Sequence, residues 1–178
     1  MSDEFILACD LATVTGWACG APGDRPIWGH RRNGWPGAPV GAVLADFADW
    51  LEGMIDKLMP SRLYYEAPYL SRQITNPATV LILYGLQAHF LTIAHRRDLV
   101  AVKVYIKTAA KHFVGSGGLR RDEKKKATIA MCETYGWKVA DDNEADALAI
   151  FTYAEAQVDP TVRRASGPLW AQEERDAV

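Results

Sequence analysis

The chain has 178 residues, of which 49% are hydrophobic and 24% are charged, and its formal net charge is −2. This length and composition are typical of a single globular domain with a sizeable core. The sequence has no uninterrupted apolar run of about 18 residues, so we expect no membrane span. Its three cysteines lack metal-ligand spacing, which indicates reduced core residues in a cytoplasmic protein.

The basic residues are distributed unevenly along the chain. Ten of the twenty Lys and Arg residues lie between Arg96 and Lys126, against three acidic residues, so this segment carries a net charge of about +7. Such a segment is either a solvated basic face or a surface that binds the phosphates of a nucleic acid. Charge alone does not decide between the two.

Hydrophobic periodicity predicts strands and helices in a definite order. The predicted strands are residues 5–10, 15–20, 26–30, 63–66 and 99–104, and the predicted helices are 40–58, 78–94, 122–135 and 143–157. Three successive strands followed by alternating helices and strands predict an α/β fold with a five-stranded mixed sheet and helices on both faces, in the order of the ribonuclease H-like fold. We expect residues 1–157 to form this domain and residues 158–178 to form a polar, flexible tail.

The helix predicted over residues 78–94 is apolar on almost every side. A helix of this kind is typical either of the centre of a domain or of a subunit interface. The sequence leaves both interpretations open.

Three acidic residues lie where packing alone would not place them. Asp10 and Glu66 end predicted buried strands, and Asp146 interrupts the apolar face of the last predicted helix. A carboxylate among buried neighbours is unfavourable unless it is paired, hydrogen-bonded or bound to a metal. The three acids therefore predict a divalent-cation site assembled from distant parts of the chain.

Other metal and nucleotide motifs are missing from the sequence. The four histidines show no HxxxH or Cys/His spacing, so we expect no zinc site. The chain has no GxxxxGK[ST] motif, so we expect no P-loop for ATP.

The acidic residues and their neighbours resemble the motifs of RuvC-type Holliday junction resolvases, a family of the ribonuclease H-like superfamily. The family's first strand ends in an aspartate and is followed by Thr-Gly-aromatic, as in Asp10 and Thr15-Gly16-Trp17. Its second acid ends a strand three residues before an aromatic, as in Glu66 and Tyr69. Its last motif, Asp-Ala-Ala-Asp-Ala-Leu-Ala-Ile, is similar to residues 143–150.

Between the second and last motifs the family carries a lysine, a Gly-x-Gly loop and a further lysine. These are similar to Lys107, Gly115-Ser116-Gly117 and Lys124. The resemblance covers about residues 5–155, with its motifs in order. Its departures at Asn143 and Leu11-Ala12 leave room for a phage-type member with a looser branch specificity.

The resemblance implies a Mg²⁺-dependent endonuclease, for which Mn²⁺ can substitute, acting on Holliday junctions or related branched DNA in recombination, repair or phage DNA processing. It also implies a homodimer and a cytoplasmic, nucleoid-associated location. Asp10, Glu66 and Asp146 would hold two metal ions with Asp10 as the bridging ligand, and Lys124 would act at the scissile phosphate. Tyr69 would stack on bases opened at the junction. The residues expected to contact DNA phosphates are Lys107, Lys111, Arg120, Arg121 and Lys125.

Two departures from the family's pattern bear on the metal site. Asn143 stands where the family has an acid or a histidine, on the same helical face as Asp146. Asn143 is then a weak neutral ligand, or Asp142 replaces it, or one metal position is impaired. Leu11-Ala12 stands where relatives often have Pro-Gly, which changes the turn beside Asp10.

Simpler interpretations and other function classes remain. The acids could be caps or surface strand ends, Lys124 a solvated helix charge, and Tyr69 a packed core ring. A branched-DNA-binding protein with weak or no cleavage is the alternative to the endonuclease, and Asn143 favours it. A sugar-kinase-like or actin-like ATPase also begins with such an aspartate, but needs about twice this length.

Overall fold

A computed structural model of the chain describes residues 4–66 and 76–162. Within these ranges the chain forms one mixed sheet with helices on both faces. The strands are β1 (Ile6–Asp10), β2 (Val14–Gly20), β3 (Ile27–Arg32), β4 (Arg62–Glu66) and β5 (Val100–Val104), and the helices are α1 (Val40–Leu58), α2 (Pro77–Arg96), α3 (Ile106–Val114), α4 (Arg121–Thr134) and α5 (Asp142–Val158).

The sheet has the strand order β3-β2-β1-β4-β5. Strands β1, β2 and β3 are antiparallel neighbours, whereas β4 runs parallel to both β1 and β5. In the parallel register Cys9 pairs with Tyr65 and Glu66 pairs with Val104. The carboxyl ends of β1, β4 and β5 therefore meet at one edge of the sheet, and Asp10 and Glu66 lie side by side there.

Each face of the sheet carries its own hydrophobic cluster, because successive strand residues point to opposite faces. On one face, called here the α1–α2 face, Leu7 and Cys9 of β1 pack with residues of α1 and α2 such as Phe47 and Phe90. On the other, called the α5 face, Ala8 and Tyr64 pack with α3, α4 and α5. Asp10 and Glu66, two residues beyond Ala8 and Tyr64, thus point to the α5 face.

Helix α2 lies at the outside of the α1–α2 face. Leu86, Phe90 and Ile93 are buried against the domain, whereas Leu81 and Tyr84 are 60% and 50% exposed. Helix α2 therefore lies at the surface of the domain and not at its centre, which was one of the two positions that its composition allowed. Among the described residues, α2 alone is long and apolar enough to span a membrane by length and composition, and such a helix is weak evidence for a span.

The predicted fold class, a five-stranded mixed sheet with helices on both faces, is confirmed. The nine elements predicted from the sequence are present, with ends that differ by at most two residues. Helix α3 was not predicted. It is short, but its apolar residues Ala109, Ala110 and Phe113 share one buried face, and Gly115 ends it with φ of 78°.

Candidate metal centre

Three carboxylates from separate elements meet at the carboxyl edge of the sheet. Asp10 ends β1, Glu66 ends β4, and Asp146 lies in the second turn of α5. One carboxylate oxygen from each residue lies within 4.8 Å of the others, and all three side chains are half-buried. The structure thus brings together the three acids singled out in the sequence, on the face that α5 covers.

Burial raises the pKa of each of the three carboxyl groups. It acts first on Asp10, whose pKa rises to about 7, and the charge of Asp146 adds to the effect. Burial, followed by the charges of Asp10 and Asp146, holds the pKa of Glu66 well above its usual range. Burial also raises the pKa of Asp146, although Lys124 opposes this. Carboxylates that resist ionisation together are stabilised in the charged form by a bound cation.

The donor set fits a hard divalent cation. All three ligand atoms are carboxylate oxygens, which Mg²⁺ and Mn²⁺ prefer, and no described histidine or cysteine belongs to the group. An open carboxylate cluster of this kind leaves coordination positions for water or for a substrate phosphate. The residues present therefore fit the metal that the sequence motifs imply.

Lys124 reaches the carboxylate group from α4. Its ammonium nitrogen Nζ donates to both oxygens of Asp146, at 3.0 Å and 2.8 Å. Both side chains are largely buried, so the pair is less screened by solvent than a surface ion pair. A positive charge thus lies at the edge of the carboxylate group.

The two residues expected to complete the metal site make side-chain contacts with other residues. The Asn143 amide donates to Asp141 Oδ2 at 2.8 Å, and the Asp142 carboxylate pairs with Lys125. The hydrogen bond from Lys125 holds the pKa of Asp142 below its usual range. Asp142 does not belong to the group of carboxylates within 4.8 Å. Among the described Asp, Glu, His and Cys residues, the candidate ligands are therefore a triad.

The turn after Asp10 is tied down by hydrogen bonds despite its departure from the family's Pro-Gly. The carbonyl of Ala12 accepts from the Thr15 hydroxyl at 3.0 Å and from the Asn33 amide at 2.9 Å. Leu11 is buried in the cluster of the α1–α2 face. Packing and side-chain hydrogen bonds thus replace the rigid turn residues.

The predicted phosphate contacts lie on helices that pack around α5. Lys107 and Lys111 are exposed one turn apart on α3, and Arg120 and Arg121 are exposed at the start of α4. Gly117 packs so closely on α3 that a Cβ there would lie 2.7 Å from the Lys107 carbonyl oxygen. Tyr69, the predicted stacking residue, lies outside the described residues.

Comparison with known proteins supports the fold. No protein-family model and no curated protein matches the chain. Among solved structures, it is similar to Thermus thermophilus RuvC in complex with a Holliday junction substrate, with a TM-score of 0.66, 17% identity, and coverage of 86% of this chain and 96% of that one. For another structure of Thermus thermophilus RuvC the values are 0.62, 14%, 90% and 99%.

The yeast mitochondrial Holliday junction resolvase is also similar, with a TM-score of 0.59, 14% identity, and coverage of 88% of this chain and 80% of that one. The chain therefore has a ribonuclease H-like fold. More particularly, it has the fold of RuvC-type resolvases, and the resemblance predicted from the sequence is confirmed at the level of the fold.

Two further residues near the site carry no signal of their own in the sequence. Glu144 is 7% exposed in the first turn of α5, and its Oε1 lies 2.8 Å from His30 Nδ1 on β3. The contact between Glu144 and His30 depends on how α5 packs on the sheet. The spacing of residues along the sequence therefore could not reveal it.

Proposed function

We propose that this chain is a divalent-metal-dependent endonuclease that nicks Holliday junctions or related branched DNA. The observation that carries the proposal is the group of three carboxylates within 4.8 Å, beside Lys124. It lies on a fold shared with junction resolvases, one of which was solved with a Holliday junction substrate. Cleavage would leave 5′-phosphate and 3′-hydroxyl ends.

Asp10, Glu66 and Asp146 would hold the metal, with Mg²⁺ as the proposed ion and Mn²⁺ as a substitute. Two bound ions would supply Lewis acidity and lower the pKa of a water, which is the chemistry of two-metal phosphodiester hydrolysis. Asp10 lies between the other two elements, because β1 is the neighbour of β4 and also contacts α5. It is therefore the proposed shared ligand.

Lys124 would stabilise negative charge that develops on the phosphate. Its ammonium is held at the edge of the carboxylate group by Asp146, so it is already oriented before DNA binds. The basic residues of α3 and α4 would hold the flanking phosphates and position the strand. They are Lys107, Lys111, Arg120, Arg121 and Lys125.

A homodimer is proposed through the outer surface of α2. Five exposed residues recur there at alternating spacings of three and four, which is the pattern of a helix-to-helix seam. They are Leu81, Tyr84, Ala88, Leu91 and His95. We call them the α2 seam. A second copy presenting the same seam is the occupant that an isologous contact predicts, and two-fold symmetry suits paired cuts at a four-way junction.

The test is a nicking assay on a four-way junction and on linear duplexes of the same sequence. We expect symmetric nicks in the junction with Mg²⁺ or Mn²⁺, no nicks with EDTA, and no nicks by the Asp146→Asn variant. Ligation of the nicked arms would check the proposed ends. Junction binding without product at any concentration of either metal would refute the endonuclease.

A second function is favoured by one observation, the contact of Asn143 with Asp141. Asn143 offers one neutral oxygen where the family has an acid or a histidine, and its amide nitrogen is held by Asp141. A site with less negative charge would bind metal more weakly, and the chain would then bind branched DNA with weak or no cleavage. Asn143→Asp separates the two functions. If the variant gains cleavage that the wild-type chain lacks, the chain is a binding protein, whereas comparable cleavage by both supports the endonuclease.

A further inference from the structure

Three residues form a row across the sheet on the α5 face. Gly16 of β2 pairs with Asp10 of β1 on one side and with His30 of β3 on the other. Directly paired residues of antiparallel strands point to the same face, so Asp10 and His30 stand on either side of a position without a side chain. The first turn of α5 lies in the gap between them.

Gly16 contacts the backbone of that turn. A Cβ at this position would overlap the carbonyl oxygen of Asn143 and lie 3.2 Å from the Glu144 nitrogen. The φ of Gly16 is not positive, so the strand does not require glycine for its own conformation. The reason for glycine here is space: any side chain would push the start of α5 away from the sheet.

Glu144 fastens the same turn to the far side of Gly16. Its Oε1 lies 2.8 Å from His30 Nδ1, and its Oε2 accepts from the Ala140 nitrogen at 2.8 Å. Asp141 caps the helix by accepting from the Glu144 nitrogen at 3.0 Å, and it also accepts from the Asn143 amide. The turn is thus held from below by Gly16 and from the side by Glu144.

Asp146 follows this turn directly. It approaches Asp10, which lies on the side of Gly16 opposite to His30. We propose that Gly16 and the Glu144–His30 pair are positioning residues, which seat α5 at the depth and rotation at which Asp146 meets Asp10 and Glu66. Asn143 takes part in this arrangement. Its backbone carbonyl packs on Gly16, and its side-chain amide donates to Asp141. The inference rests on the proposed metal-dependent function, because it assigns these residues a purpose at that metal site.

The experiment is a titration of the metal-free full chain with Mn²⁺, followed by electron paramagnetic resonance, which reports binding without any cleavage. We expect Gly16→Ala to weaken Mn²⁺ affinity by about 10-fold or more, as for other residues that orient metal ligands. Gly20→Ala is the matched control on the same strand. A Cβ there lies 3.4 Å from its nearest neighbours, so we expect wild-type affinity.

Glu144 supplies a second test that does not require Gly16→Ala to fold. Glu144→Leu removes both hydrogen bonds and should weaken Mn²⁺ binding. Glu144→Gln keeps the shape and an oxygen that accepts from the Ala140 nitrogen, and its amide nitrogen donates to His30 Nδ1 when the imidazole proton is on Nε2, so it should restore most of the affinity. Phe90→Ala, on the α1–α2 face, controls for stability, because it should lower the melting temperature without changing Mn²⁺ affinity.

The outcomes separate this inference from the proposed function. If the wild-type chain binds no Mn²⁺, the proposed metal site is wrong and the positioning role is overturned with it. If the wild type binds and folded Glu144→Leu binds equally well, only the positioning role is overturned. A loss of affinity in Glu144→Leu that Glu144→Gln reverses supports it.

Discussion

The two faces of the sheet are built from the same strands but differ in chemistry. On β1, Cys9 points into the α1–α2 face and is buried among apolar side chains, whereas Asp10 points to the α5 face and joins Glu66 and Asp146. The outer side of the α1–α2 face is the exposed and mostly apolar α2 seam, whereas the α5 face carries the carboxylates and the basic residues of α3 and α4. Adjacent residues of one strand thus contribute to the hydrophobic core on one face and to the carboxylate group on the other.

This difference indicates a division of labour within the domain. In our proposal the α1–α2 face provides stability and assembly, and the α5 face holds the metal and the DNA. Substitutions on the α5 face should therefore affect activity without affecting assembly. Substitutions in the α2 seam should affect assembly without affecting the metal site. The predictions below test that separation.

The largest effect is expected from removing a ligand carboxylate. Asp146→Asn should lower junction nicking by about 10³-fold or more, because the neutral amide no longer holds the cation that stabilises the transition state. Cys9→Ala is the matched control from the opposite face: we expect lower stability, by about 1–2 kcal/mol, with nicking retained. Single-turnover nicking rates measure both. A comparable loss of rate in folded Cys9→Ala would contradict the separation of the faces.

Lys124 should have the next largest effect. Lys124→Met should lower the nicking rate by about 10²-fold, as expected for a group that stabilises developing charge. Mn²⁺ affinity should stay the same or rise, since a cation that competes for Asp146 has been removed. Lys126→Met, at an exposed position on the same helix, controls for net charge. If Mn²⁺ affinity falls in step with the rate, Lys124 acts by orienting Asp146 instead.

The sequence predicted more of the sheet than of its surroundings, for physical reasons. Asp10, Glu66 and Asp146 could be found because carboxylates beside apolar runs are conspicuous. The meeting of Asp10 and Glu66 follows from parallel strands that end at one edge, whereas the approach of Asp146 depends on how α5 packs on the sheet. The proposed role of Glu144 could not be found. Its burial depends on the close approach of α5 to the sheet, which is possible because Gly16 has no side chain. Likewise, the composition of α2 left its position open, since only packing decides which side of an apolar helix is covered.

The α2 seam tests the other face. Leu81→Glu combined with Tyr84→Glu should convert the proposed dimer to a monomer, because two charges would be buried in the helix-to-helix contact. We expect the dissociation constant to rise by about 10-fold or more, measured by light scattering coupled to size-exclusion chromatography. Mn²⁺ affinity should not change, since the seam lies on the opposite face from the carboxylates.

Val100→Glu is the control for this pair, as Val100 is also an exposed apolar residue but lies on β5, away from the seam. It should leave the mass in solution unchanged. A wild-type chain that is monomeric at all concentrations would refute the dimer, and a seam variant that remains dimeric would place the interface elsewhere.

The smallest effect concerns stability rather than rate, and its direction follows from the raised pKa of Asp10. Because the folded state raises this pKa to about 7, from about 3.9 in an unfolded chain, the folded state binds more protons between these values. Asp10 therefore destabilises the metal-free protein increasingly as the pH rises through this window, and fully above it.

Asp10→Asn removes this destabilisation, so with EDTA present the variant should melt a few degrees higher than wild type at pH 8, with little difference near pH 4. Saturating Mn²⁺ should reverse the order at pH 8, since only the wild type binds it tightly. Thermal unfolding across pH, with and without metal, measures both, and a difference that does not vary with pH would show that the strain at this edge of the sheet is not electrostatic.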